Sequence, residues 1–151
     1  ISPWQATGPY GGQMMDILSL PNNPNILFAG VFGAGVFKSI DAGKNWLSVN
    51  NGITDLNLMH FLINGNSMYA VTFAGGIFKS TDQGAHWLAI NHGLPSPTYI
   101  GALAADNNTL YAADDVGGIF KSLDAGATWQ KAGNNFPFEI QSTSILIKNN
   151  I

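Results

Sequence analysis

The chain has 151 residues, of which 46% are hydrophobic and only 10% charged, a balance that supports one domain with a buried core and excludes a disordered chain. Its net charge is −3 and all six basic residues are lysines; the lack of arginine argues against nucleic acid as a partner, because phosphate recognition uses basic patches and guanidinium forks. There is no cysteine, so disulfides and thiolate chemistry are excluded, and no apolar run is long enough for a membrane span.

The first predicted element is a short strand over 2–8, carrying Trp4, which stands 42 residues before Trp46. Residues 1–12 lack the basic start and apolar stretch of a signal peptide. A strand near Gln13–Leu20 follows, ended by Pro21-Asn22-Asn23-Pro24, a turn that its two prolines keep out of any helix. The next strand lies near Ile26–Val31, where Leu27 and Ala29 alternate with Phe28 and Gly30. After a glycine-rich turn a third strand covers Val36–Ser39, and a fourth begins at Trp46 and fades in Asn50-Asn51-Gly52.

The plan then repeats. The run from Phe37 to Trp46 returns as Phe78 to Trp87 and again as Phe120 to Trp129, at offsets of 41 and 42. Leu27-Phe28-Ala29 returns as Met68-Tyr69-Ala70 and Leu110-Tyr111-Ala112, and Gly35 as Gly76 and Gly118. A period near 42 with a turn signal about every ten residues is the signature of four short strands per unit, a propeller blade. The expected fold class is therefore all-β, a propeller of four-stranded antiparallel blades. Three complete blades fall near 13–52, 55–93 and 98–135, with a trailing strand over 140–148. Since it opens on the last strand of one blade and closes on the first of another, the chain is expected to be part of a larger ring. The remaining blades would come from the same or another chain.

Three segments, Ser39-x-Asp41-x-Gly43-x-x-Trp46, Ser80-x-Asp82-x-Gly84-x-x-Trp87 and Ser122-x-Asp124-x-Gly126-x-x-Trp129, share one pattern. It resembles the Asp-box, or BNR, repeat of sialidases, sortilin-like receptors, xyloglucanases and photosystem-assembly propellers, and the resemblance covers nearly the whole chain. In such a turn the Asp carboxylate accepts backbone N–H groups, the Gly permits positive φ, and the Trp buries its face beside the next strand. The motif therefore reports fold and not activity. The resemblance also implies a secreted or periplasmic protein.

Residues that recur in every blade hold the ring, whereas those that vary in the loops are free to specialise. In the loops between second and third strands, Phe32 and Phe73 give way to Asp115, beside Asp114. Aromatics next to carboxylates suit sugar stacking with hydroxyl hydrogen bonding, although ordinary loop packing with solvated acids is the commoner reason for such residues. The loops between blades add Asp55, His92, Tyr99 and Glu139. Glycosidase chemistry needs two carboxyl groups at a defined separation; Asp55, Asp114, Asp115 and Glu139 are weak candidates that no spacing pairs. Sialidases hold their substrate with an arginine triad, which this chain cannot supply.

The histidines His60, His86 and His92 form no ligand pair, so neither a metal site nor a cofactor is expected. His86 occupies a variable motif position and is expected to be exposed. Gly33-Ala34-Gly35 is followed by no helix and reads as turn geometry rather than a phosphate loop. The expected function is a non-catalytic binding or scaffolding segment that meets a glycan or a protein through Phe32, Phe73, Asp114, Asp115 and Tyr99. The alternative is part of a glycoside hydrolase.

Overall fold

The computed structural model describes residues 8–96 and 98–132. Within them lie twelve strands and no helix. They form three antiparallel sheets of four, each in chain order. Blade 1 holds β1 (Gln13–Leu20), β2 (Asn23–Phe32), β3 (Gly35–Ser39) and β4 (Leu47–Ser48). Blade 2 holds β5 (Leu58–Asn64), β6 (Ser67–Thr72), β7 (Gly76–Ser80) and β8 (Leu88–Ala89). Blade 3 holds β9 (Ile100–Asp106), β10 (Thr109–Asp114), β11 (Ile119–Ser122) and β12 (Gln130–Lys131). The all-β architecture of four-stranded blades is as the repeat foretold, whereas Trp4, Glu139 and the strands expected over 2–8 and 140–148 lie outside the described residues.

Two boundaries differ from expectation. Strand β2 starts at Asn23 rather than near Ile26, because Asn23 already pairs with Leu20. The fourth strand starts after the tryptophan, since the N–H groups of Trp87 and Trp129 bond to Asn51 and His92 of the preceding blade. These outer strands have two exposed residues each, so each blade presents only a short edge.

The second strand of each blade has apolar side chains on both faces. In β6, Met68 and Ala70 enter a core with Phe28, Leu58, Phe61, Phe78 and Trp87, shared by blades 1 and 2. Tyr69 and Val71 point the other way, into a core with Ile100, Leu110, Phe120 and Trp129 shared with blade 3. Period-2 alternation thus fills two seams with one strand. Leu58 is fully buried at the first seam, and Gly30 lets it in: a Cβ at Gly30 would stand 2.0 Å from Leu58 Cδ2.

The inner strands are bulged at equivalent places, with Met15, Met59 and Gly101 as the extra residues, which adds local twist where the blades converge. Asp16 uses one such place, accepting the N–H of Phe61 from the neighbouring blade at 2.9 Å.

Each Ser-Asp-Gly-Trp turn is built alike. Ser39 Oγ donates to Asp41 Oδ1 at 2.8 Å and accepts the N–H of Gly43 at 2.9 Å. Asp41 accepts the N–H of Asn45 at 2.9 Å and its side-chain amide at 2.7 Å. The residue before the glycine is also left-handed in all three turns, as Ala42, Gln83 and Ala125. Trp87 and Trp129 then cross the seams, donating Nε1–H to Val49 at 2.9 Å and to Ile90 at 2.6 Å. The repeated lysines cross in the opposite sense. Lys38 reaches the carbonyl of Gln83 at 3.3 Å and Lys79 that of Ala125 at 3.1 Å, over the rings of Phe28 and Tyr69.

Candidate functional site

The loops after the second strands and the loops between blades meet at the end of the molecule opposite the motif turns. There Phe32, Phe73 and Tyr99 form a row across three blades. Phe32 and Phe73 meet edge to face at 6.3 Å between ring centres and 74°. Phe73 and Tyr99 do the same at 5.7 Å and 67°. Phe32 is 38% exposed and Phe73 51%, while Tyr99 is half-buried. Of the candidate residues, these three form the row, and Asp115 adjoins it at Tyr99.

The row rests on a stiff base. Asn50 sits where a blade ends, and its Oδ1 accepts the N–H of Val36 at 2.6 Å while Nδ2 donates to Ala34 at 3.0 Å. Asn91 repeats this with Ile77 and Gly75, both at 2.8 Å. A Cβ at Gly35 or Gly76 would lie 2.4 Å from these amides, and both glycines have φ +79°, so no other residue fits. In the third blade the matching sequence position is Gly133. There Asp114, 5% exposed, takes over, accepting the N–H groups of Val116 at 3.2 Å and of Gly118. Nothing local to Asn50 or Asn91 in the sequence names this role; their recurrence 41 residues apart is the signal for it.

Asp55 is equally committed. One oxygen accepts the N–H groups of Ala74 and Gly75 at 2.8 and 3.0 Å, and the other accepts the N–H and amide of Asn57 at 3.0 and 2.9 Å. Burial pushes its carboxyl upward, but the bonds from Ala74, Asn57 and Gly75 outweigh it and hold the group below its ordinary value. A general acid needs the reverse shift. Asp55 and Asp114 thus act as loop caps, and Asp115 alone of the described candidates is an exposed carboxylate, its N–H bonded to the Tyr99 carbonyl at 3.2 Å.

His92 is exposed and serves through its backbone, and His60 is half-buried in β5. His86 is exposed as expected, yet its Nδ1 donates to Asp82 at 2.7 Å. Among the described residues no group of three or more His, Cys, Asp or Glu could hold a metal ion. No described helix is long and apolar enough to cross a membrane.

No family model matches the chain, and neither does any curated protein sequence. Solved structures do resemble it. An ancestral GH74 enzyme matches at a TM-score of 0.72 with 20% identity, over 92% of this chain and 20% of that one. YCF48 bound to D1 peptide matches at 0.66 with 20% identity, over 87% of this chain and 43% of that one. The computationally designed Ika4 protein matches at 0.71 with 13% identity, over 97% of this chain and 86% of that one. The chain therefore spans about a fifth of the GH74 enzyme and less than half of the YCF48 chain. At these identities the likeness is one of fold, and the described residues form three consecutive blades of a β-propeller.

Proposed function

We propose that this chain is a non-catalytic binding segment of an Asp-box propeller, and that its loop end holds an extended glycan or peptide. The observation that carries this reading is the row Phe32, Phe73 and Tyr99, partly exposed and continuous over three blades. Aromatic rings left at a surface on backbone this rigid offer apolar area at little entropic cost. Among the described residues Asp55, Asp114 and Asp115 are the charges beside the row, and no lysine stands in these loops, so a neutral or cationic ligand is favoured over an anionic one. The peptide in the YCF48 structure supports a role in recognition.

Calorimetric titration tests this with xyloglucan oligosaccharides and with extended peptides rich in apolar residues. The double variant Phe32→Ala/Phe73→Ala is expected to bind at least about tenfold more weakly with its thermal unfolding unchanged. Unchanged affinity would remove the row from the site. The second reading, a part of a glycoside hydrolase, draws on the likeness to GH74 enzymes. It requires that hydrolysis of a polysaccharide panel by the full-length protein disappear in Asp115→Asn or Glu139→Gln. The commitment of Asp55 and Asp114 to loop capping favours the binding reading.

A further inference from the structure

At the opposite end of the molecule the two seams between blades differ. Between blades 2 and 3 the seam is closed, because the side-chain amide of Asn64 donates to the carbonyl of Asn107. The register places Leu20 where Asn64 stands and Gly65 where Asn107 stands. Leu20 has no donor to offer, and a Cβ on Gly65 would meet nothing within 4 Å. The seam between blades 1 and 2 is therefore open, as a cavity of about 540 Å³.

Its far wall breaks the repeat. Ser19 pairs with Leu27, Ile63 with Met68 and Ala105 with Leu110, so the connection spans 20–26 in blade 1 but only 64–67 and 106–109 in the others. The longer loop brings Asn22 to the rim. Leu20, Ile26, Ile63 and Met68 form the floor, and Asn22, Asn66, Thr81 and Gln83 the rim. No lining residue is charged; Asp82 follows Thr81 in the chain, and the Lys38 ammonium donates to Gln83 Oε1 at 3.3 Å, so two opposite charges beside the rim offset each other. The side chains of Asn22 and Asn66 are exposed and make no hydrogen bond to the described residues.

We propose that this cleft between blades 1 and 2 is a second binding site, distinct from the aromatic row, for a neutral mono- or disaccharide. Its volume falls within the range of about 300–1,000 Å³ typical of small-molecule sites. The aliphatic floor suits the C–H face of a sugar ring, and the amides and the Thr81 hydroxyl on the rim suit its hydroxyl groups. The cleft arises where one blade departs from a pattern that the next seam keeps.

The other seam supplies the test. Leu20→Asn/Gly65→Asn copies the closing pair, and Asn tolerates the left-handed φ of +59° at Gly65, as Asn107 does at +53°. Side-chain amide resonances would be followed by NMR during titration with glucose, cellobiose, maltose and N-acetylglucosamine, with glucuronate as the anionic contrast. The expected result is saturable shifts at Asn22, Asn66 and Gln83 with at least one neutral sugar, and weaker ones with glucuronate, whose carboxylate would lose hydration against an uncharged lining. The closed-seam variant should bind at least about tenfold more weakly, and Phe32→Ala/Phe73→Ala as the parent does. If the closed-seam variant misfolds, Asn22→Ala/Asn66→Ala, which removes two unbonded amides, should show the same loss. The proposal is overturned by no shift at these amides up to about 10 mM of any neutral sugar, or by unchanged affinity in the folded variant.

Discussion

Each motif aspartate is ringed by donors. The residue just before the tryptophan is Asn45, His86 or Thr128, and each donates through both backbone and side chain. The side-chain and backbone bonds from Asn45 hold Asp41 at about 2, against an ordinary 3.8. The backbone and side-chain bonds from His86 do the same for Asp82, and those from Thr128 for Asp124, both to about 2. A carboxylate whose value is depressed on folding stabilises the native state in full above its unfolded value and loses that contribution as pH falls through the folded one. The midpoint of thermal unfolding should thus drop between about pH 4 and pH 2, with Asp82→Asn lowering it at pH 7 and flattening the acid slope. A slope unchanged in all three Asp→Asn variants would refute this. At the loop end Asp114 and Asp115 should separate. Asp114→Ala leaves the N–H groups of Val116 and Gly118 without their acceptor and should cost about 1–3 kcal/mol in denaturant unfolding, whereas Asp115→Ala should stay within about 0.5 kcal/mol.

Strands fit together here because backbone passes very close to backbone. A Cβ at Gly52 would stand 2.0 Å from the Trp87 carbonyl, and one at Gly93 would stand 2.1 Å from that of Trp129. Both glycines have φ +97°, so Gly52→Ala meets a clash and a strained dihedral together. It should lose more than about 1 kcal/mol, read from denaturant midpoints; Gly33→Ala, with nothing within 4 Å, should suffer only the dihedral strain of φ +86°. What the sequence reveals follows from the same geometry. Blade number, strand order and the role of each Ser-Asp-Gly-Trp turn were legible because they recur at a fixed period. The lysine bridges and the Asn50 and Asn91 clamps recur too, yet their meaning depends on a partner about 45 or 14–16 residues away, which no local pattern names. The capping roles of Asp55 and Asp114 were hidden for a further reason. Asp114 replaces a repeated clamp with a blade-specific one, and Asp55 adds its bonds to a loop that Asn91 already clamps; either looks in sequence like freedom to bind.

Stability of the whole molecule is a matter of seams. Because both faces of a second strand are buried, no blade owns a core; each core is made by two neighbours. Leu58 belongs by sequence to blade 2 but fills the space left by Gly30 in blade 1. Truncating it should open a cavity that neither sheet can close alone, at a cost of about 2–5 kcal/mol. The loss should be shared across the seam. In native-state hydrogen exchange, Leu58→Ala should lower amide protection in β2–β3 and β6–β7 together, while β10–β11, packed around Ile100 and Leu110, keeps more of its protection. Loss confined to β5–β8 would mean that blades are stable units that merely touch. Joint loss would mean that the seam is the unit that folds, which is why a seam left open, as between blades 1 and 2 at the motif-turn end, stands out from the rest of the molecule.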